Sequence, residues 1–330
     1  MENKLLTIVI PAYNMEQYIG RCLNSFNQIS NPESLEILVI NDGSKDNTLV
    51  IAREFECRYP KTLKVIDKPN GGWGSAINKG IELATGKYFK ILDSDDWFDP
   101  NALGEFIQLL QHVDVDLIAT SFSYEYVSGT NKNDIYPAAL CNRIIPFDRY
   151  LKENSHDKHL PMATITYKTE LLQMNHIHLA DRYYADIDYN LSPLIFVKTI
   201  YFSQINLYKY WIGREGQSTS IAGYNAHLDD YLNMAKKIVS FYKGHLCDCN
   251  VDIKAAFEKD LLNILRFSYY LLLSPQYGGK KDDSEQKCRD LDGFIKKEIP
   301  TLYKKLNKLK IKKFIPYIFI WRKLRINVLK

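Results

Sequence analysis

Asp93, Asp95 and Asp96 crowd the stretch YFKILDSDDWFDP, at the point where an apolar run from Tyr88 stops. Carboxylates packed this closely raise one another's pKa, and a divalent cation is the cheapest relief. Oxygen-only ligands at such spacing suit Mg2+ or Mn2+ rather than zinc. A solvated acidic turn ahead of a helix is the plainer alternative, because Asp99 and Pro100 carry an N-cap and first-turn pattern close by.

Further polar groups stand where other apolar runs end. A second acidic pair, Asp186 and Asp188, lies in ADIDY; on a helix the two point about 200° apart, so only one can face a pocket. Pro11, Ala12, Tyr13 and Asn14 follow TIVI, where proline cannot continue a strand ladder and Tyr13 is left as a surface for a flat ring. Asp42, in NDGS after LEILVI, either accepts hydrogen bonds from a ligand or caps its own turn, with Gly43 supplying an unusual dihedral. Asn70, Gly71, Gly72, Trp73 and Gly74 form a glycine cluster opening a helix, a geometry that lets backbone N–H groups approach a phosphate. It lacks the GxxxxGK[ST] spacing that ATP chemistry uses. Trp73 can stack on a ligand or pack on a neighbouring segment. Arg214, Gln217 and Ser218, in YWIGREGQSTS, occupy a loop leaving a strand, where the arginine either neutralises an anion or is simply solvated.

A scaffold must bring these groups together. Over the first 120 residues short β-rich runs alternate with helical patterns, which predicts an α/β fold with a mainly parallel, Rossmann-like sheet and flanking helices. Ligands of such sheets bind at the carboxyl ends of the strands, so the segments after Ile10, Ile40 and Leu92 should share one edge. Helices are expected over Glu16–Gln28, Asp46–Arg58, Ser75–Ala84 and Asn101–Gln111, with Gly86 closing the third. Residues 121–160 lose the rhythm and read as an irregular insertion. Beyond Met162 a helix is expected from about Asp186, then separate strands TIYFS and LYKYWI, then long helices over His227–Tyr242 and Ile253–Leu273. The chain divides into a region over 1–222 and a helical C-terminal region over 223–330.

The ordered blocks TIVIPAYNMEQYIGRCLNSF, EILVINDGSKDNT and NGGWGSAINKGIELATGKYFKILDSDD resemble the family 2 glycosyltransferases of GT-A fold, inverting enzymes that use nucleotide sugars. The resemblance covers about the first 120 residues. It implies that this part binds the nucleotide sugar, while 121–222 form the acceptor side and hold the catalytic base. Pro11, Ala12, Tyr13, Asn14 and Asp42 would line the nucleoside. Asn70, Gly71, Gly72, Trp73, Asp93 and Ser94 would complete the donor site. Asp95, with Asp93 as a second candidate, would hold Mn2+ or Mg2+ bridging the diphosphate, and Asp96 would support the turn. Arg214, Gln217 and Ser218 would reach the diphosphate. Asp186 takes the position of the base, with Asp188 as its rival. Two departures stand out: Ala76-Ile77-Asn78 replaces the family's usual Ala-Arg-Asn, and Ala185 replaces the glutamate before the base.

Lys and Arg (43) nearly balance Asp and Glu (39), and a formal charge of +4 argues against nucleic acid as a partner. The six cysteines show no CxxC pairing and read as reduced cytosolic thiols. No secretory signal is evident, and no apolar run approaches the roughly 18 residues of a spanning helix. From Lys304 onward the chain has no acidic residue, and Phe314, Tyr317, Phe319 and Trp321 alternate with lysines and arginines. That pattern suits the inner face of a bacterial membrane, with a packed final helix as the rival reading. The resemblance implies a polyprenyl-diphosphate-linked glycan acceptor of a cell-surface polysaccharide such as a capsule. A sugar nucleotidyltransferase or an NAD enzyme would need glycines after the first strand, and none precedes Gly20 there. A silent glycan-binding subunit would lack Asp95 or Asp186.

Overall fold

The computed structural model describes residues 4–27, 32–153, 160–213, 220–246, 249–277, 283–310 and 315–329. Two compact units divide between Arg214 and Glu215. The first runs β1 (Leu6–Ala12), α1 (Ile19–Asn24), β2 (Leu35–Asp42), α2 (Thr48–Arg58), β3 (Leu63–Lys68), α3 (Trp73–Leu83), β4 (Tyr88–Ile91), β5 (Trp97–Phe98) and α4 (Pro100–His112). It continues through β6 (Leu117–Tyr126), β7 (Asn131–Asp134), β8 (Ile144–Pro146), α5 (Phe147–Glu153), β9 (Ile165–Lys168), α6 (Thr169–Met174), α7 (Ala185–Leu191) and β10 (Thr199–Ile212). The sheet order is β3-β2-β1-β4-β9-β6-β10-β5. Strands β3, β2, β1 and β4 pair in parallel; β9 enters antiparallel between β4 and β6, and β10 runs parallel to β6. The carboxyl ends of β1, β2, β4 and β10 therefore fall on one edge, as the parallel pattern requires.

Several sequence expectations are refined by this packing. Pro11 does not end β1. Pairing with β4 stops at Val9–Ile91, but pairing with β2 continues to Ala12–Asn41. Alternate residues of a parallel strand bond to opposite neighbours, so the missing N–H interrupts one ladder only. Gly86 does not cap α3, which ends earlier, at Leu83. Its role is close approach: a Cβ there would lie 2.5 Å from the Thr7 amide nitrogen. Asp99 does cap α4, its side chain accepting from the Asn101 and Ala102 amides.

Residues 121–160 are not wholly irregular. β6 runs on to Tyr126 and folds back antiparallel as β7, while β8 pairs with β10. Serines hid the strand, because Ser121 and Ser123 are buried with their hydroxyls bonded to the Ser203 carbonyl and Glu125. TIYFS and LYKYWI are one strand, β10, with register shifts against β6 between Ser203 and Tyr208.

The second unit comprises α8 (Ile221–Ala226), α9 (Leu228–His245), α10 (Val251–Leu273), α11 (Ser284–Glu298), α12 (Pro300–Leu306) and α13 (Tyr317–Leu324). Its last helix corrects the expectation that the tail's aromatics line a membrane. Tyr317 and Trp321 are buried within the unit, and the Tyr317 hydroxyl donates to the Arg266 carbonyl. Arg322 pairs with Asp292 at 2.6 Å, lies 3.6 Å from the Tyr303 ring centroid and donates to the Tyr269 hydroxyl and to Asn307. A buried pair with all these donors satisfied holds its helix in place, since removing one partner would strand the other. Of the four aromatics, Phe319 stays exposed and Phe314 lies outside the described residues.

Lys90, on β4, is the least expected core residue. It is fully buried, and its ammonium donates to the Ala163 and Ile165 carbonyls at 2.9 and 3.2 Å. Burial lowers its pKa to about 7. An unfolded lysine titrates near 10.4, so between these values the unfolded chain binds the extra proton. Lys90 therefore costs most stability below about pH 7, and the cost fades as pH rises toward 10.4. Lys90→Met removes this pH-dependent cost while leaving two carbonyls without their donor, so its stability relative to the parent is expected to be about 3 kcal/mol more favourable at pH 6.5 than at pH 9.5. Denaturant melts of both proteins at the two pH values measure that difference.

Candidate functional site

The site is built from loops at the shared strand edge, each tied to the next. Asn14, with a left-handed φ of 53°, accepts from the Lys45 amide, while its own amide donates to Ser44. This joins the loop after β1 to the loop after β2, and leaves Tyr13 exposed beside them. Asp42 is buried and bonded on every side. Its carboxylate accepts from Lys68 Nζ at 2.6 Å, from the Gly71 and Gly72 amides at 2.9 and 2.7 Å, and from Asn70 Nδ2 at 3.1 Å. The glycine N–H groups that sequence suggested for a phosphate thus point at Asp42, and Asp42 itself joins the β2 end to the glycine loop.

The glycines of that loop answer a second need. A Cβ on Gly74 would fall 1.7 Å from the Ala180 carbonyl oxygen, and one on Gly72 would fall 2.8 Å from the Asp181 carbonyl. The Ser75 amide donates to the same Asp181 carbonyl at 2.8 Å. The glycine loop is therefore packed against the segment that leads into α7. Tyr184, directly before α7, takes a left-handed φ of 66°, a strained conformation for a bulky residue that surrounding contacts must hold.

α7 separates the two candidate bases. Asp188 is buried; it accepts from the Ala180 amide at 3.0 Å and from the Ser192 hydroxyl, so it pins the segment before the helix. Asp186 points the other way and keeps solvent exposure. Desolvation nonetheless raises its carboxyl pKa, against the opposing effect of hydrogen bonds from its own amide and that of Ile187.

The turn after β4 divides its acids. Asp93 Oδ1 accepts from the Trp73 indole at 2.7 Å, which ties the turn to the start of α3. Asp96 is wholly buried and accepts from the Tyr208 hydroxyl at 2.5 Å and the Trp211 amide at 2.8 Å. Burial first, then Asp95 and Asp93, push the Asp96 carboxyl well above its usual range. Burial does the same to the neighbouring Cys22 thiol, whose sulfur faces the Asp93 carbonyl at 3.8 Å. Ser94 is buried within the turn. Arg214, Gln217 and Ser218 lie outside the described residues.

Sequence reasoning missed the residues that close the site. Tyr210, on β10, has its phenol pushed up by burial first and then by Asp96, Asp93, Asp95 and Asp186. One side chain is thus within electrostatic reach of both acidic groups. Arg21, on α1, lies 4.1 Å from the ring centroids of both Trp97 and Trp211 and donates to the Asp95 carbonyl at 2.6 Å. Desolvation lowers its pKa, opposed by Asp96 and Asp95. The available signals were weak: the alternation in LYKYWI puts Tyr208 and Tyr210 on one face, and nothing local singles out Arg21.

The model of the family described as glycosyl transferase family 2 matches residues 7–172. The chain belongs to this family. It is 31% identical over 225 residues to an uncharacterized glycosyltransferase of Mycoplasma pneumoniae, the MG025 homolog, covering 67% of this chain and 72% of that one. It is 43% identical over 100 residues to the chondroitin synthase of Pasteurella multocida, covering 30% of this chain and 10% of that one. The solved structure of Staphylococcus aureus TarS 1-349 in complex with UDP-GlcNAc is similar over 96% of this chain and 87% of that one, with a TM-score of 0.64 at 20% identity. The fold is that of the GT-A glycosyltransferases, as the sequence resemblance implied.

As for a metal, no cluster of three or more His, Cys, Asp or Glu among the described residues is arranged to hold one alone. Asp93 is bonded to Trp73, Asp96 to Tyr208, and Asp95 is buried beside them, so the turn offers oxygen donors of the kind a hard cation takes but no ready-made cage. The two α7 acids should separate in stability measurements. Asp188→Ala is expected to cost about 1–3 kcal/mol by leaving the Ala180 amide and Ser192 hydroxyl unpaired. Asp186→Ala should stay within about 0.5 kcal/mol of the parent protein. Thermal melts compare them directly.

Proposed function

We propose that this family 2 glycosyltransferase is an inverting, metal-dependent enzyme moving a hexosyl or N-acetylhexosaminyl unit from a UDP-sugar to a hydroxyl of a glycan acceptor. The observation that best supports this is the gathering of the β1, β2 and β4 ends at one edge, with the glycine loop bonded to Asp42 and packed on the segment that leads to Asp186. Inverting transfer needs negative charge handled on one side of a sugar and a proton removed on the other. Tyr13 and Asn14 would line the nucleoside, with Asp42, its carboxylate filled by Lys68 and the glycine loop, acting through that loop, and Asn70, Gly71, Gly72, Trp73, Asp93 and Ser94 would complete the donor site. Asp95, and Asp93 if it leaves Trp73, would hold Mn2+ or Mg2+; bound there, the cation would stabilise the departing diphosphate. Asp186 would take the acceptor proton, and its raised carboxyl pKa brings it nearer to an efficient base at neutral pH. Asp188, turned inward, would position α7. Arg214, Gln217 and Ser218 remain candidates for the diphosphate.

The UDP-GlcNAc named in the TarS complex supports the choice of donor, and the chondroitin synthase match supports a polysaccharide product. A polyprenyl-diphosphate-linked oligosaccharide at the inner face of the cell membrane fits both. Asp95→Ala and Asp186→Ala are each expected to lower transfer by about 10²–10⁴-fold. A panel of nucleotide sugars with Mn2+, scored for UDP release and for product, measures this; unchanged transfer would refute the mechanism, and formation of UTP and sugar 1-phosphate only when pyrophosphate is added would point to a nucleotidyltransferase.

For the membrane surface, the specific observation is three individually exposed apolar residues near the chain's end, Phe319 (41%), Leu324 (62%) and Ile326 (53%), with Lys323 and Arg325 exposed among them. No described helix is long and apolar enough to cross a membrane, so contact would be peripheral. Because Tyr317 and Trp321 belong to the core, deleting the tail would expose that core. Replacing Phe319, Leu324 and Ile326 with serine is the cleaner test: flotation with anionic vesicles should fall several-fold, and unchanged flotation would remove the tail from the membrane.

A further inference from the structure

Three elements meet at Arg21. Its own helix, α1, follows the loop after β1. Trp97 lies two residues beyond Asp95, on β5, and Trp211 is on β10. The two indoles hold the guanidinium between them at 4.1 Å each, and the edge of Tyr18 meets the Trp211 ring with centroids 5.4 Å apart. β5 and β10 are themselves paired, through Lys209–Trp97 and Tyr208–Phe98. The plate is thus framed by backbone pairing as well as by stacking.

The acceptor that Arg21 uses is informative. It donates to the main-chain carbonyl of Asp95 at 2.6 Å, and it forms no ion pair among the described residues. An unrestrained arginine beside the Asp95 and Asp96 carboxyl groups would form a bidentate pair with one of them, the stronger arrangement. Such a pair would occupy the oxygens a cation needs. Contact with two aromatic rings holds the guanidinium in place, so its charge offsets the acidic turn while its hydrogen bond goes to the backbone. Lysine has neither the plane to be stacked nor the fork to be aimed.

We infer that Arg21, clamped between Trp97 and Trp211, is a positioning residue that presents the Asp95 turn to the metal and nucleoside diphosphate while being kept off its carboxylates. This rests on the donor-site reading above. The role depends on the stack as much as on the charge, so freeing the guanidinium should harm the site as removing it does.

The experiment uses the full chain and reads Mn2+ binding in the presence of UDP by electron paramagnetic resonance, alongside kcat and KM for the donor. Arg21→Lys is expected to weaken Mn2+·UDP about tenfold and to raise the Mn2+ concentration required for transfer, with a melting temperature close to that of the parent. Trp97→Leu and Trp211→Leu, which keep the charge but release it, should weaken Mn2+·UDP in the same direction, and they carry the test if Arg21 variants fold poorly. Asp186→Asn is the comparison, losing transfer while binding Mn2+·UDP like the parent. Parent-like Mn2+·UDP binding in Arg21→Lys and in both tryptophan variants would overturn the role of Arg21 alone. Failure of the parent protein to bind Mn2+·UDP would overturn the donor-site reading and this inference with it.

Discussion

The Asp96 carboxylate is taken wholly out of solvent and bonded to the Tyr208 hydroxyl and the Trp211 amide, both on β10. A buried carboxylate with two donors is costly to leave unpaired, so this contact fixes where the β4 turn must sit against a strand more than a hundred residues away. Everything near the turn inherits that constraint. Tyr210 projects from the same face of β10 as Tyr208, and Trp211 closes over Arg21. Asp93 is drawn toward Trp73 and the glycine loop.

A second constraint works from the opposite side. Asp42 gathers the β2 end, Lys68 and the glycine loop around one carboxylate. The absent side chains of Gly72 and Gly74 let that loop lie against the backbone at 180–182, and Asp188 holds the same segment from α7. Asp186 is therefore placed by a chain of contacts that begins at β2. The two acidic groups are thus anchored by different carboxylates, Asp96 and Asp188, and linked through the glycine loop, where Trp73 donates to Asp93.

In the second unit, charge has been used for packing where composition suggested a surface. Arg322, Asp292, Tyr269 and Tyr303 satisfy one another, and Trp321 fills the core beside them. Basic composition alone does not distinguish a cation facing lipid from one paired inside a helical unit, because the acid that neutralises Arg322 lies on a different helix.

Local order in the chain was enough to reveal the alternating strands, the Asp99 cap and the three blocks that mark the family, because each depends on neighbours a few residues apart; the strand ends it placed at Ile10 and Ile40 lie two residues further on, at Ala12 and Asp42. Sequence also delivered both acidic groups but left Asp186 and Asp188 open, since helical spacing says only that they diverge. Tertiary structure decided which faces inward, through the Ala180 amide and Ser192. It likewise decided that Lys90 is core, that Gly71 and Gly72 bond Asp42, and that Arg21 is held by Trp97 and Trp211. Each of these is a pairing between segments distant in sequence, and its energy comes from burial and stacking that exist only once the sheet has brought those segments together.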